Sequence, residues 1–182
     1  MRRSRFAGPQ AGKNSRPVEQ ARDLLWMLGR LYPEKSFELS TELTEETYWP
    51  IEQHDLNEIL GNLLDNAGKW SAHCVELMLQ ADQEKMTITV SDDGPAVAEE
   101  AISQLGKRGL RLDEQISGHG LGLAIVNDIV SGYGGNLIIE RNKDSGLSAT
   151  VELVAPSSQA RKTDLKPDVK SRVLRQSSTK GQ

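Results

Sequence analysis

Two amides stand four residues apart in GNLLDNAGKW (residues 61–70): Asn62 and Asn66 interrupt a leucine-rich run that otherwise reads as one face of a helix. Neutral side-chain oxygens at that spacing can meet a divalent cation or a phosphate; they can also bond local backbone across one turn. Lys69 follows Asp65 by four residues, which suits either a phosphate contact or an ordinary ion pair along the helix. A second group, SDDGPAV (91–97), ends an apolar-alternating stretch with Asp92, Asp93 and a Gly–Pro turn. A carboxylate at a strand end can accept a hydrogen bond from an amino group and reject a carbonyl at the same place. Two acids without a neighbouring histidine make a poor transition-metal site. A third group, GHGLGL (118–123), is a glycine turn opening an apolar helix, where free N–H groups and the positive helix end can hold phosphate, or where the chain simply bends. It is neither common phosphate loop: Gly106–Lys107 is followed by Arg108 rather than Ser or Thr, and the glycine turn does not directly follow a strand.

These groups need elements to carry them. Val18, Ala21, Leu24, Leu25, Leu28 and Leu31 recur at helical spacing between Pro17 and Pro33. Phe37, Leu39 and Thr41 alternate as a strand. A second helix covers about His54–Trp70, with Leu56, Ile59, Leu60, Leu63, Leu64 and Ala67 as its apolar stripe. CVELMLQ and KMTITVSD form a hairpin around ADQE, LGLAIVNDIVSGY a third helix stopped by Gly134 and Gly135, and NLIIERN with LSATVELVA a second hairpin around KDSG. The expected fold is an α/β two-layer sandwich, a mixed and mostly antiparallel sheet covered on one face by about three helices. Residues 95–117, PAVAEEAISQLGKRGLRLDEQIS, make a long polar connection of the kind that serves as a lid, with a short helix possible over AVAEEAISQL. Nine of the 16 glycines fall between Gly94 and Gly135, so backbone there must pass close to something.

Composition narrows the setting. With 182 residues, 37% hydrophobic and 26% charged, the chain suits one domain with its own core plus tails. A net charge of −4 offers no basic face for nucleic acid. Cys74, the single cysteine, cannot close a disulfide within the chain and reads as core filling in a reducing compartment. No apolar run nears the roughly 20 residues that cross a bilayer. Residues 1–16 and 156–182, both basic and poor in apolar side chains, read as a flexible leader and a disordered tail around a body at 17–155.

The asparagine-rich helix, the strand ending DDGP, the polar connection and the GHGLGL helix, in that order, resemble the ATP-binding domain of sensor histidine kinases, a fold shared with gyrase, Hsp90 and MutL ATPases. The resemblance runs from about Ser36 to Val154, and KRGLRLD with EILGNLLDNA looks most like PhoQ-type sensors. It implies a Bergerat-type fold with a mobile ATP lid. It implies ATP and Mg²⁺ as cofactors, with Asn66 on the metal, Asn62 beside it, and Asp92 on the adenine amino group next to Gly94. Lys69 would reach the phosphates, Trp70 would take an aromatic place near the base, and Arg108 or Arg111 would contact phosphate from the lid. Gly118, His119, Gly120, Leu121 and Gly122 would bring backbone up to the triphosphate. The implied activity is transfer of the γ-phosphate to a histidine on the kinase's own dimerisation domain, with a response regulator downstream, in the cytoplasmic part of a bacterial inner-membrane sensor.

MRRSRF resembles the end of the dimerising hairpin, so the chain reads as a fragment, expected to be monomeric. His54, His73 and His119 lack a phosphoacceptor signature, and autophosphorylation of this chain alone is not expected. Ala96 stands where the family's first glycine box has a second glycine; its methyl would either crowd the base pocket or stiffen a turn, and weaker binding is the expectation. Rival readings are a nucleotide-binding regulatory module without transfer, and a gyrase- or MutL-like ATPase. The second needs a glutamate base one turn before the metal-binding Asn, where this chain has Asn62, an amide that cannot take a proton.

Overall fold

Pro17, its φ preset and its missing N–H irrelevant in a first turn, opens α1 (Pro17–Leu31) in a computed structural model that describes residues 14–98, 102, 122–143 and 146–155. Of the leader expected over 1–16, Ser15 belongs to the folded body: it is buried and exchanges two backbone hydrogen bonds with Trp49, each 3.0 Å. The stripe on α1 buries Val18, Ala21, Leu25 and Leu28, whereas Leu24 is half-buried and Leu31, in the last turn, is 62% exposed. The expectation that Leu31 faces the core is therefore corrected.

The remaining elements are β1 (Ser36–Thr41), α2 (Gln53–Trp70), β2 (Cys74–Ala81), β3 (Lys85–Asp92), α3 (Gly122–Gly132), β4 (Asn136–Arg141) and β5 (Leu147–Val154). The five strands form one sheet in the order β1-β2-β3-β5-β4. β1 and β2 run parallel, as a pair joined through a helix must, and every other pairing is antiparallel. Both expected hairpins are present, β2–β3 and β4–β5.

Alternation then divides the sheet. Val75, Leu77, Leu79, Met86, Ile88, Val90, Val151 and Leu153 are buried under the helices. The opposite face pairs Thr89 with Thr150 at 3.2 Å and Ser91 with Ser148 at 2.6 Å between side-chain oxygens. Cys74 alternates with buried Val75, so it sits half-buried on the face away from the helices rather than filling the core as expected. Its thiol pKa is pushed up, first by burial and then by neighbouring carboxylates.

Helix α2 is the central one, packing against both other helices and against β2 and β3. Leu56, Ile59, Leu60 and Leu64 are fully buried on it. The glycine stop of α3 is as expected: Gly134 takes φ 67°, and the Gly135 N–H reaches back to Val130 O at 3.0 Å. No helix among the described residues is long and apolar enough to cross a membrane.

Candidate functional site

At the ends of β3 and β5 the helix layer and the sheet part to form a cleft. Leu63, Asn66 and Ala67 of α2 line one side, Leu123 of α3 another, and Val90, Ile139, Leu147 and Ala149 of the sheet form the floor, with Asp92 at the end. Seven of those nine residues are apolar, and Asn66 and Asp92 are the two polar groups among them. The period of α2 puts Leu63, Asn66 and Ala67 on adjoining rows, and that of β3 puts Val90 and Asp92 on one face.

The two neighbouring aspartates do different work. Asp93 turns back to the α2–β2 connection and accepts the amides of His73 and Cys74, each at 2.9 Å. Burial alone would raise its carboxyl, but the N–H groups of Cys74, His73 and Ala72 outweigh that and hold it below the usual range. Asp92 is half-buried in the cleft, and burial pushes its carboxyl up, offset in part by amides. Gly94 N–H donates to Asp92 Oδ1 at 2.9 Å and Leu147 N–H to the same oxygen at 3.4 Å. With both amides on Oδ1, Oδ2 is the oxygen that can meet a ligand.

Glycines make this approach possible. A Cβ at Gly94 would lie 2.5 Å from Trp70 O, and one at Gly146 would lie 1.9 Å from Asp92 O. The β4–β5 turn is further pinned by Asn142, whose amide donates to Asp92 O at 2.7 Å. Gly146, Asn142, Ile139, Leu147 and Ala149 did not stand out as site residues in the sequence, where KDSG reads only as a turn and the strands only as alternation.

The asparagines also separate. Asn62 Nδ2 donates to Glu58 O at 2.7 Å, the local backbone bond that its spacing allowed. Its Oδ1 then faces the start of α3, where a Cβ at Gly122 would be 2.8 Å away. The structure thus brings Asn62 against the last glycine of GHGLGL. Asn66 is half-buried at the cleft wall. No group of three or more His, Cys, Asp or Glu side chains among the described residues could hold a metal alone. A neutral oxygen from Asn66 fits Mg²⁺, which keeps most of its shell as water and phosphate oxygen. Lys69 is paired with Asp65 at 2.6 Å, the ion pair that the spacing allowed, and Trp70 ends α2 half-buried. Ala96 is exposed and is not among the residues that line the cleft.

Arg108, Arg111, Gly118, His119, Gly120 and Leu121 lie outside the described residues, as does nearly all of the lid. Of the helix expected over AVAEEAISQL, residues 99–101 and 103–105 lie outside the described residues, and Ile102 N–H bonds Ala98 O at 3.0 Å.

Residues 51–157 match the model of the histidine kinase-, DNA gyrase B- and HSP90-like ATPases. The chain belongs to that family. Within this ATPase family it is 45% identical over 104 residues to the sensor protein kinase CarS of Pseudomonas aeruginosa, covering 57% of this chain and 23% of CarS. It is 33% identical over 135 residues to the virulence sensor histidine kinase PhoQ of Salmonella typhimurium, covering 74% of this chain and 28% of PhoQ. The chain thus spans about a quarter of the length of the curated relatives it matches.

Among solved structures, the mycobacterial sensor histidine kinase MprB superposes with a TM-score of 0.68 at 25% identity, over 78% of this chain and 97% of that one. The catalytic domain of the histidine kinase ThkA gives 0.72 at 20% identity over 80% and 97%, a likeness of fold. Full-length ShkA, solved in complex with AMPPNP, gives 0.63 at 26% identity over 75% and 30%. The described body is thus a histidine kinase-type ATPase domain, three helices on a five-stranded mixed sheet.

Proposed function

We propose that this domain binds Mg–ATP and presents the γ-phosphate to a histidine on the dimerisation domain of a two-component sensor kinase, with a response regulator receiving the phosphoryl group. The observation that carries this reading is the half-buried Asp92 carboxylate at the end of an apolar slot whose opposite wall holds Asn66. A carboxylate there accepts from an exocyclic amino group, which selects adenine over a base with a carbonyl at that position. Apolar side chains above and below hold the ring. Asn66 then lies where the phosphates leave the slot, and Lys69, one turn further on, adds a cation. Mg²⁺, when bound, supplies charge neutralisation between phosphates.

Catalysis on this reading is positioning and electrostatics, since no described residue is placed as a nucleophile. The hydrolase alternative is disfavoured by Asn62, whose amide donates to its own helix and cannot accept a proton from water. The partner histidine, the response regulator, a monomeric state for this chain and a place on the cytoplasmic side of a bacterial inner membrane all belong to the same proposal.

The test is calorimetric titration with ATP and ADP, with and without Mg²⁺, for the chain and for Asp92→Ala and Asn66→Ala. Saturable binding that needs Asp92, and that gains from Mg²⁺ only when Asn66 is present, is expected. A folded chain that ignores millimolar adenine nucleotide overturns the reading. Phosphorylation of a separately supplied dimerisation domain from labelled ATP tests the transfer step, and binding without transfer would favour the regulatory-module alternative.

A further inference from the structure

Tyr32 caps the end of α1, 33 residues before the helix segment it touches. Its ring lies where α2 has no side chain: a Cβ at Gly68 would come within 2.9 Å of Tyr32 Cε2. The hydroxyl donates to Asp65 Oδ1 at 2.8 Å. The other oxygen of the same carboxylate, Oδ2, accepts from Lys69 Nζ at 2.6 Å. Lys35 completes the arrangement, donating to Gly68 O at 2.5 Å and Ser71 O at 2.9 Å, with its ammonium 5.6 Å from the Tyr32 ring centroid. The phenol is thus fixed from three sides, and through Asp65 it fixes one end of an exposed lysine that stands one row from Asn62 and Asn66.

We propose that Tyr32 is a positioning residue for Lys69, acting through Asp65, and that this relay sets how well the domain holds the phosphates of its nucleotide. The inference rests on the nucleotide reading above and adds to it a residue outside the motifs. A carboxylate that already accepts a phenol O–H is a weaker partner for the ammonium, so Lys69 stays shareable with an incoming phosphate. With one oxygen held, the other also keeps Lys69 on the side of α2 that carries the asparagines. Without the phenol hydroxyl, Asp65 is free to turn outward and take Lys69 with it, binding it more tightly as it goes. The effect belongs to phosphate, since Lys69 offers a cation and the base has no charge for it to meet.

The experiment measures the affinity of the full chain for Mg–ATP and for adenosine in wild type, Tyr32→Phe, Lys69→Met and the double variant. Phenylalanine keeps the ring against Gly68, and thermal unfolding of each variant verifies folding. Tyr32→Phe is expected to weaken Mg–ATP roughly threefold to tenfold, the span of one hydrogen bond, with adenosine unchanged. In the Lys69→Met background the same change should have no further effect on Mg–ATP. Equal weakening of both ligands, or full additivity with Lys69→Met, means that Tyr32 acts only by packing and overturns the proposal. So does an unaltered Mg–ATP affinity in Tyr32→Phe. If adenosine and ATP bind wild type but Lys69→Met changes neither, the relay fails while the nucleotide reading stands; if wild type binds neither, both fail.

Discussion

Helix α2 is tied by a tyrosine and an aspartate near each end, and the two ties differ in what the pair meets next. Near the start, Tyr133 of the α3 exit donates to Asp55 Oδ2 at 2.6 Å and accepts the Glu52 N–H at 3.2 Å. That amide is an orphan of the first turn, where Glu52 provides no side-chain cap of its own, so the phenol stands in for one. Near the end, Tyr32 donates to Asp65, and the carboxylate passes the connection to Lys69. Both phenols are pushed up to about 12, by burial first and by the aspartate next. The chemistry is the same at both ends. A tie that continues into backbone holds a helix in place; one that continues into an exposed cation can hand that cation to a ligand.

Four measurements test this contrast. The largest is a control: Leu60→Ala, in the fully buried middle of α2, should cost about 2–5 kcal/mol in urea unfolding, because it leaves a cavity beneath both ties alike. Asp92→Ala comes next, weakening adenine nucleotide by about 1.5–3 kcal/mol in calorimetry. The folded-state pKa of Asp92 is raised, so the stability its carboxyl contributes is complete below the unfolded value of 3.8 and is lost as pH rises through the folded value. Removing its charge while keeping an acceptor, in Asp92→Asn, should therefore leave the unfolding midpoint at pH 7 unchanged or higher, and a marked drop would show that the charge is structural.

Tyr133→Phe should lower stability by about 1 kcal/mol and leave Mg–ATP affinity as it was, unlike Tyr32→Phe, which is expected to weaken Mg–ATP. Selective loss of ATP in Tyr133→Phe would erase the distinction between the two ends. Smallest is the pH effect of the two phenols. Each has a folded pKa above the unfolded 10.0, so each contribution is complete below pH 10 and is lost between pH 10 and about 12. Alkaline unfolding followed by circular dichroism should shift less steeply with pH in either Tyr→Phe variant than in wild type.

Legibility followed sequence separation. The three helices and the two hairpins lie within local periods and could be read off directly, and the pairing of Lys69 with Asp65 was one of the two readings that its spacing left open. Asn62 and Asn66 were visible as misplaced polarity, although only the fold distinguishes the one bonded to Glu58 O from the one at the cleft. Asp92 and Asp93 are equivalent in sequence, and their roles are set by elements that arrive from elsewhere: the α2–β2 connection at Asp93, the β4–β5 turn at Asp92. Tyr32 and Tyr133 were silent because their carboxylates lie 33 and 78 residues away. Cys74 was misread for a simpler reason: its position one before Val75 puts it on the outward parity of the strand, which counting from the apolar residues would have revealed.

The register of the sheet bears on how this domain can change. β3 and β5 pair Ser91 with Ser148, so the lid segment, α3 and β4 all lie within the stretch of chain that this antiparallel ladder closes. Closing a loop that is already this long costs entropy that grows only with the logarithm of its length, and doubling it would add just ~0.6 kcal/mol. The cost of such a topology lies in time instead, since partners so far apart must find each other before the ladder can reward them, which places folding in the slower range of small domains. The chain can therefore lengthen or rewrite its lid at little thermodynamic expense, provided the ladder beneath it still forms before the exposed strand edges find other company.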